Sequence, residues 1–301
     1  MSYKRLSAAV PSVYVLSAGV LVMIVSASVW AADTRKEFKY NALPGSTVKV
    51  SNSSGSIEVH PVAAGRQVII AATTHSDKVQ VNSSQMGNRI NATTDFVQPV
   101  DPGSKDGQVE YEVSVPSDCG VVIQNGSGVT RLDGVHSDVT LDAESGQIEL
   151  SNITNAHVHV QTLDAPVTLT NIHSQHVEVV SSGGKVQMTN VTGHAVTAKT
   201  DSGEITYDGD FAGGGEYSLV NHTGNINVNL PATASVDLAA RSLKGTVQND
   251  FPFQSKASVN PIPRGANANT YVGGTSKVTS NSGLSSVQLN SFSGTIRVRK
   301  R

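Results

Sequence analysis

The chain has 301 residues, with 22 basic and 24 acidic side chains and a formal net charge of −2 at pH 7. This near-neutral balance gives no electrostatic reason to expect nucleic acid as a partner. Cys119 is the only cysteine, so an internal disulfide is excluded and the hydrophobic core alone must stabilise the fold.

The first predicted element is a secretory signal peptide over residues 1–31. Two basic residues open the chain, an uncharged and largely apolar stretch follows, and small residues crowd its end. Val29 and Ala31 stand at positions −3 and −1 of a predicted cleavage site. The stretch also reaches the roughly 20 residues that cross a bilayer, so an uncleaved anchor is the alternative. In both cases we expect an extracytoplasmic protein, secreted or held in the periplasm or cell envelope, which meets a membrane only through this segment if it stays uncleaved.

Residues 36–118 are predicted to form an N-terminal β segment that caps the repeats. Short runs alternate apolar and polar residues, as over 109–115, and Gly, Asn, Ser or Pro bounds each run. This alternation is typical of strands, and no window after the signal segment shows a helical period. Cys119 directly precedes another strand, where we expect a buried and inert thiol.

A seven-residue frame recurs over residues 119–252 and defines a regular repeat array. Two aliphatic residues two positions apart are followed, seven residues after the second, by another aliphatic residue, and a small turn lies between them. The frame starts at Val139 with Leu141, Val158 with Val160, Val177 with Val179, Val196 with Ala198, and Tyr217 with Leu219. It also stands at Val48 with Val50 upstream and at Val287 with Leu289 near the end. Self-similarity at a fixed period is typical of stacked repeats.

Two turn positions repeat with the same period. One is always Gly or Asn, the residue types that tolerate a positive φ, and we predict a left-handed residue there in every rung: Gly134, Asn152, Asn171, Asn190 and Gly209. The opposite turn is marked by Gly146, Gly184, Gly203 and Gly224, with Ala165 at the equivalent place. The predicted fold is all-β: a single elongated β-solenoid, similar to a parallel β-helix, with two-strand rungs of 18–19 residues and irregular β caps at both ends.

The pattern changes after residue 252. Residues 253–275 are rich in Pro, Gly and Asn and are predicted to be a loop, where limited proteolysis should cut first. Residues 276–301 return to alternation and are predicted to be C-terminal closing strands. Arg297 and Arg299 alternate with Val298, which favours a strand with a basic face in water over a contact with an anionic surface.

Several of these runs resemble a known family. Its recurring elements are similar to Tyr111–Pro116, Gly203–Tyr207, Gly224–Pro231, Val236–Arg241, Gly245–Val247 and Ser293–Val298. The chain resembles, over roughly residues 36–301, a bacterial β-strand-repeat family of adhesin-like proteins. The resemblance implies the fold and no catalytic residue, since the matching motifs are turn glycines and aliphatics. Asp164-Ala165-Pro166 departs from the family's usual Ser-Gly turn, which implies altered turn geometry in one rung.

Histidines are the first candidates for chemistry. His157 and His176 occupy equivalent positions on adjacent rungs, so a metal ion could bridge them, and His159 shares the strand face of His157. An exposed polar ladder is the favoured interpretation, because a zinc site needs three or four converging ligands and no obvious carboxylate joins the pair.

Carboxylates form two loose groups that could serve a polysaccharide-active solenoid enzyme. The groups are Asp142, Glu144, Glu149 and Asp164, and Asp201, Glu204, Asp208 and Asp210. Their spacings define no pair at a catalytic separation, and solvated turn residues are the favoured interpretation. Phosphate-cradling and nucleophile-elbow motifs are missing from the sequence.

The sequence therefore favours a non-enzymatic extracytoplasmic adhesin-like or scaffold protein with no cofactor, whose partner is an envelope or surface protein or a glycan. One alternative is a polysaccharide-active enzyme on a β-helix scaffold, and another is an envelope sensor or accessory module. Carboxylates that converge with a basic residue in a groove would favour the enzyme. Ladders of Ser, Thr and Asn would favour the scaffold.

Overall fold

The computed structural model describes residues 33–101, 103–211, 214–251, 270–272, 275–280 and 283–301, with only the backbone described at 270–272 and 275–280. The signal peptide predicted over 1–31 and most of the loop predicted over 253–275 therefore lie outside the described residues. No helix in the described ranges is both long and apolar enough to cross a membrane.

Strands make up nearly all regular structure of the described residues, and Lys105–Gly107 forms a short 3₁₀ turn. The first strands are β1 Thr34–Asn41, β2 Thr47–Asn52, β3 Ile57–Pro61, β4 Gln67–Thr74, β5 Val79–Met86, β6 Arg89–Phe96 and β7 Val109–Val115. The central strands are β8 Gly120–Asn125, β9 Val129–Asp133, β10 Val139–Ala143, β11 Gln147–Thr154, β12 His157–Thr162, β13 Val167–His173, β14 His176–Ser181, β15 Val186–Thr192, β16 Ala195–Thr200, β17 Ile205–Asp208, β18 Glu216–Asn221 and β19 Ile226–Leu230. The last strands are β20 Val236–Ser242, β21 Thr246–Asn249, β22 Thr270–Val272, β23 Thr275–Ser280, β24 Ser285–Ser291 and β25 Ile296–Lys300.

The described strands form two large, mostly parallel sheets, one of 13 strands and one of 12. Each rung contributes one strand to the 12-stranded sheet and the next strand along the chain to the 13-stranded sheet. In spatial order the rungs are β6–β7, β2–β3, β8–β9, β10–β11, β12–β13, β14–β15, β16–β17, β18–β19, β24–β25 and β20–β21. The fold is a β-solenoid, so the prediction from the repeating frame is confirmed.

The aliphatic positions of the frame form the core between the two sheets. Val158 of β12 pairs with Val177 of β14, and Val177 pairs with Val196 of β16. All three are fully buried, because parallel pairing in register places equivalent residues of successive rungs one above another. Burial of each such side chain contributes about 2 kcal/mol, which a rung obtains only when neighbours cover it.

Rungs near both ends do not stack in chain order. β2–β3 lies between β6–β7 and β8–β9, although β6–β7 follows it in the sequence. Likewise β24–β25 lies between β18–β19 and β20–β21. The segment 36–118 therefore supplies two rungs as well as edge strands, and the C-terminal strands fill an internal place in the array.

Antiparallel strands flank the two outermost rungs. β5 pairs with β6, β4 pairs with β7 and β1, and at the other end β22 pairs with β21 and β23 with β20. β1 is the edge strand of its sheet and exposes most of its side chains, with Arg35, Lys36, Glu37 and Lys39 among them. Charged side chains on an edge strand hinder pairing with another chain.

The recurring Gly-or-Asn position differs between rungs. Asn152, Asn171 and Asn190 each have a φ of 54°, and Gly134 has a φ of 68°, all in the left-handed region. Gly209 lies outside that region, so the expectation of a left-handed residue in every rung is wrong there. A Cβ on Gly209 would lie 3.3 Å from the Asn190 Cα, so close packing accounts for this glycine.

Close approach also explains the opposite turn. Gly146 has a φ of 105°, whereas Gly184, Gly203 and Gly224 are outside the left-handed region. A Cβ on Gly203 would overlap the carbonyl oxygen of Gly184 on the neighbouring rung. These positions need glycine because successive turns touch through their backbones.

A buried Ser or Thr closes most of these turns by accepting a hydrogen bond from the residue three positions later. The pairs are Thr162 with Ala165, Ser181 with Gly184, Thr200 with Gly203, Ser242 with Gly245 and Ser291 with Gly294, at 2.8–3.1 Å. The turn at Ala165 thus keeps the hydrogen bond of its neighbours, although its Asp-Ala-Pro sequence implied altered geometry.

Candidate functional site

Six of the nine histidines lie along one edge of the solenoid, where the chain passes from the 13-stranded to the 12-stranded sheet. This histidine edge consists of His136, His157, His159, His173, His176 and His194. Parallel register brings them together, because each rung turns at the same place. Five of the side chains are exposed and His159 is partly exposed, so the edge presents imidazoles to solvent over four consecutive rungs.

His157 and His176 pair directly across β12 and β14. Their ring centroids are 6.4 Å apart and the rings are nearly perpendicular. A carboxylate lies beside one member of this pair: Asp138 accepts a hydrogen bond from the His157 backbone N–H at 2.9 Å and lies 4.0 Å from its Nδ1. Even so, no group of three or more His, Cys, Asp or Glu side chains within the described residues is arranged to hold a metal ion.

His159 is engaged elsewhere. Its Nδ1 lies 3.3 Å from Glu178 Oε2 on β14, and Lys199 Nζ lies 3.7 Å from the other oxygen of that carboxylate. His159 therefore forms a separate row with Glu178 and Lys199, beside the row of His157 and His176.

A shallow groove of about 330 Å³ lies on the histidine edge. Its lining consists of Asn155, His173, Ser174, Gln175, Thr192, Gly193, His194 and Gly215. His173 Nδ1 is 2.7 Å from Thr192 Oγ1 on the next rung, which orients the ring. Ser174 is buried and its Oγ has no hydrogen-bond partner. The groove is thus lined by neutral hydrogen-bonding groups between imidazoles.

The profile of the Toastrack DUF4097 family matches residues 37–299 of the chain. The chain belongs to the Toastrack DUF4097 family. This agrees with the resemblance to adhesin-like β-repeat proteins that the sequence motifs suggested.

Solved structures similar to this Toastrack chain are named for adhesion. A "putative adhesin" from Bacteroides fragilis NCTC 9343 superposes with a TM-score of 0.50 at 13% identity, over 89% of this chain and 98% of the other. A "putative cell adhesion protein" from Clostridium sporogenes ATCC 15579 gives a TM-score of 0.28 at 12% identity, over 89% of this chain and 100% of the other. At such identities the first likeness supports the fold alone. No similar protein was found among the curated proteins.

Four of the carboxylates considered as catalytic candidates are engaged in other contacts in the Toastrack structure. Glu149 pairs with Arg131, Glu204 with Lys185, and Asp208 with Arg301, at 2.6–3.3 Å. Asp210 accepts a hydrogen bond from the Phe211 backbone N–H at 2.8 Å. These four side chains therefore hold strands and turns of the array together.

Sequence reasoning missed contacts that depend on the inserted rungs. Arg131 of β9 bridges Glu149 of β11 and Glu58 of β3, at 2.8 and 3.0 Å. His222 stacks on Phe292 with centroids 4.5 Å apart, and Lys244 Nζ lies 4.5 Å above the same ring. The signal that could have found them is the seven-residue frame at Val48 and Val287, which marks both segments as rungs.

Tyr207, Phe211 and Tyr217 pack against one another, with ring centroids 4.4–6.0 Å apart. Two more rungs follow them in space, so they lie inside the array and do not cap it. Tyr207 Oη donates to backbone carbonyl oxygens, and burial raises its pKa. Cys119 is also buried, and loss of solvation raises the pKa of its thiol, which makes it unsuited to nucleophilic chemistry.

Proposed function

We propose that this Toastrack protein is a non-enzymatic, extracytoplasmic binding protein of the adhesin-like kind. It presents the outer faces and the histidine edge of its solenoid to a surface protein or glycan of the envelope. The secretory layout of residues 1–31 supports the location, and the name of the structurally similar Bacteroides fragilis protein supports the class.

The observation that carries the proposal is a side-chain ladder on the outer surface. Asn152 donates to Asp133 at 2.7 Å, Asn171 to Asn152 at 3.3 Å, and Asn190 to Asn171 at 3.0 Å. Side chains that satisfy one another in a regular row form a preorganised recognition surface. Catalysis would instead need an acid and a base converging on one point.

The test uses residues 32–301 as purified protein. We expect saturable binding to isolated envelope fractions, displaced by unlabelled protein, and no release of reducing ends from a panel of envelope and matrix polysaccharides. A heat-unfolded sample controls for nonspecific adsorption. Reducing-end release that disappears in a His173→Gln or His194→Gln variant would establish the enzyme alternative instead.

The predicted location is tested with the full chain expressed in a bacterium. We expect a processed protein outside the cytoplasm whose N-terminal sequencing starts at Ala32. A full-length protein that stays in the membrane fraction would favour the uncleaved anchor.

A further inference from the structure

We propose that the histidine edge is a pH-gated binding site for an acidic polysaccharide, centred on the groove beside His173 and His194. The inference rests on the proposed binding function and names the ligand class and the site. Three observations support it: the histidines are concentrated on one edge, the net charge of that edge changes sign with pH, and the groove offers groups that can bind a sugar.

The concentration follows from the register. His157 and His176 are adjacent in one row, and His194 lies on the rung next to that of His173. Successive rungs repeat these positions at about 4.8 Å along the stacking direction. Charge placed at such a regular spacing suits a polymer whose acidic groups also repeat along its length.

The charged groups that face the histidines come from the strands and turns packed around them. The carboxylates are Asp138, Asp142, Glu178, Asp210 and Glu216, and the cation counted with them is Lys199, which lies 3.7 Å from Glu178. Asp118 beside His136 is neutralised by Arg66 at 2.9 Å. These groups give the edge a net charge of −4 when all six imidazoles are neutral, and of +2 when all six are protonated. Imidazoles take up protons between about pH 8 and pH 5, so the edge changes sign in that range.

The sign of the net charge on the histidine edge decides at which pH the acidic ligand binds. At pH 7.5 the carboxylates dominate and repel a polyanion. At pH 5.5 protonated imidazoles attract it, and long-range attraction also speeds its association. Asp138 lies within 4.0 Å of His157, and Glu178 lies within 4.0 Å of His159, so these two carboxylates compete with the ligand for those imidazoles. By contrast, no carboxylate in the described residues lies within ion-pair distance of His173 or His194.

The groove explains why a polysaccharide fits better than a simple anion. Asn155, Gln175 and Thr192 offer neutral hydrogen-bonding groups to sugar hydroxyls. Ser174 adds a buried hydroxyl without a protein partner, and such a group is stabilised when a ligand or water supplies one. The two imidazoles then pair with carboxylates on the sugar rings.

The experiment is calorimetric titration of residues 32–301 with oligogalacturonate at pH 5.5 and 7.5 and constant ionic strength. We expect binding at pH 5.5 that weakens at least about tenfold at pH 7.5, and no binding of neutral dextran. The double variant His173→Gln/His194→Gln should lose most of the pH 5.5 binding. The matched control His60→Gln/His222→Gln removes two histidines outside the edge and should retain it, with circular dichroism showing that both variants fold.

Three results would overturn the proposal: equal affinity at both pH values, equal losses in the two double variants, or polyphosphate binding as tightly as oligogalacturonate. The last would mean that charge alone is recognised. Failure of this site is distinguishable from failure of the proposed function, because envelope binding at pH 7.5 would persist without it and reducing-end release would not appear.

Discussion

The rungs in the middle of the array and the rungs at its two ends are stacked in different ways. From β8 to β19 each rung lies directly after the previous rung in both chain and space. At the ends, β2–β3 and β24–β25 are inserted between rungs that come from other parts of the chain. An open solenoid end exposes unpaired strand edges, and an inserted rung ties the outermost rung to the array through two new parallel ladders. The middle is therefore built locally, and the ends are closed by long-range pairing.

The largest expected effect comes from removing the inserted C-terminal rung. A chain ending at residue 284 loses β24–β25, so β20–β21 no longer pairs with the rest of the array. We expect loss of the cooperative thermal transition, or a large fall in its midpoint, by circular dichroism. Deletion of residues 33–41 is the matched control, because it removes an edge strand with one neighbour and should cost far less. A truncated chain that melts like the intact one would show that the inserted rung is dispensable.

Glycine at the turns that touch through their backbones should contribute more to stability in the middle of the array than at its end. Gly203→Ala places a Cβ against the carbonyl oxygen of Gly184, between two firmly held rungs. We expect it to lower the free energy of unfolding by about 3 kcal/mol. In Gly245→Ala the new Cβ overlaps the carbonyl oxygen of Gly294. Gly245 lies in the outermost rung, β20–β21, which has more freedom to shift, so the loss of unfolding free energy should be smaller. Chemical denaturation measures both, and equal costs would contradict the distinction between middle and end.

Asn221 lies where the middle meets the inserted rung, and its substitution should be stabilising. Neighbouring rungs have Thr200 and Ser291 at this position, and both accept a hydrogen bond from a turn glycine. Asn221 is buried and neither side-chain polar atom has a partner. Asn221→Thr restores the hydroxyl and removes two unsatisfied groups, which should raise the free energy of unfolding by about 2 kcal/mol. A melting temperature of Asn221→Thr below that of the parent protein would refute this account. Asn221→Ala is the control, because it removes the amide without adding a hydroxyl.

The smallest expected effect is a pH dependence of the N-terminal edge. A hydrogen bond from Arg35 holds the pKa of the Glu112 carboxyl below its usual value. A depressed folded-state pKa stabilises the fold above the unfolded pKa of about 4.3, and this is lost as the pH falls through the folded value. Arg35→Gln should therefore lower the melting temperature slightly at pH 6 and not at pH 2. Lys36→Gln is the control, and the same difference at both pH values would contradict the ion-pair explanation.

Much of the regular array could be predicted because its information is local. The period, the inward aliphatic residues and the left-handed asparagines at 152, 171 and 190 depend on neighbours within one turn or on the repeat itself. The candidate site was only partly predictable. The equivalence of His157 and His176 followed from the frame, whereas the groove around Ser174 required four turns to be placed beside one another.

The amino-acid sequence by itself determined the rung, its aliphatic core positions and the residue types that its turns tolerate, because these follow from backbone sterics and burial over fewer than 20 residues. Only the tertiary structure decided which rungs are neighbours. The contacts of Arg131 with Glu58 and of Phe292 with His222 join residues about 70 positions apart. The same is true of the glycines that touch an adjacent turn, since no local pattern specifies which backbone will lie against them.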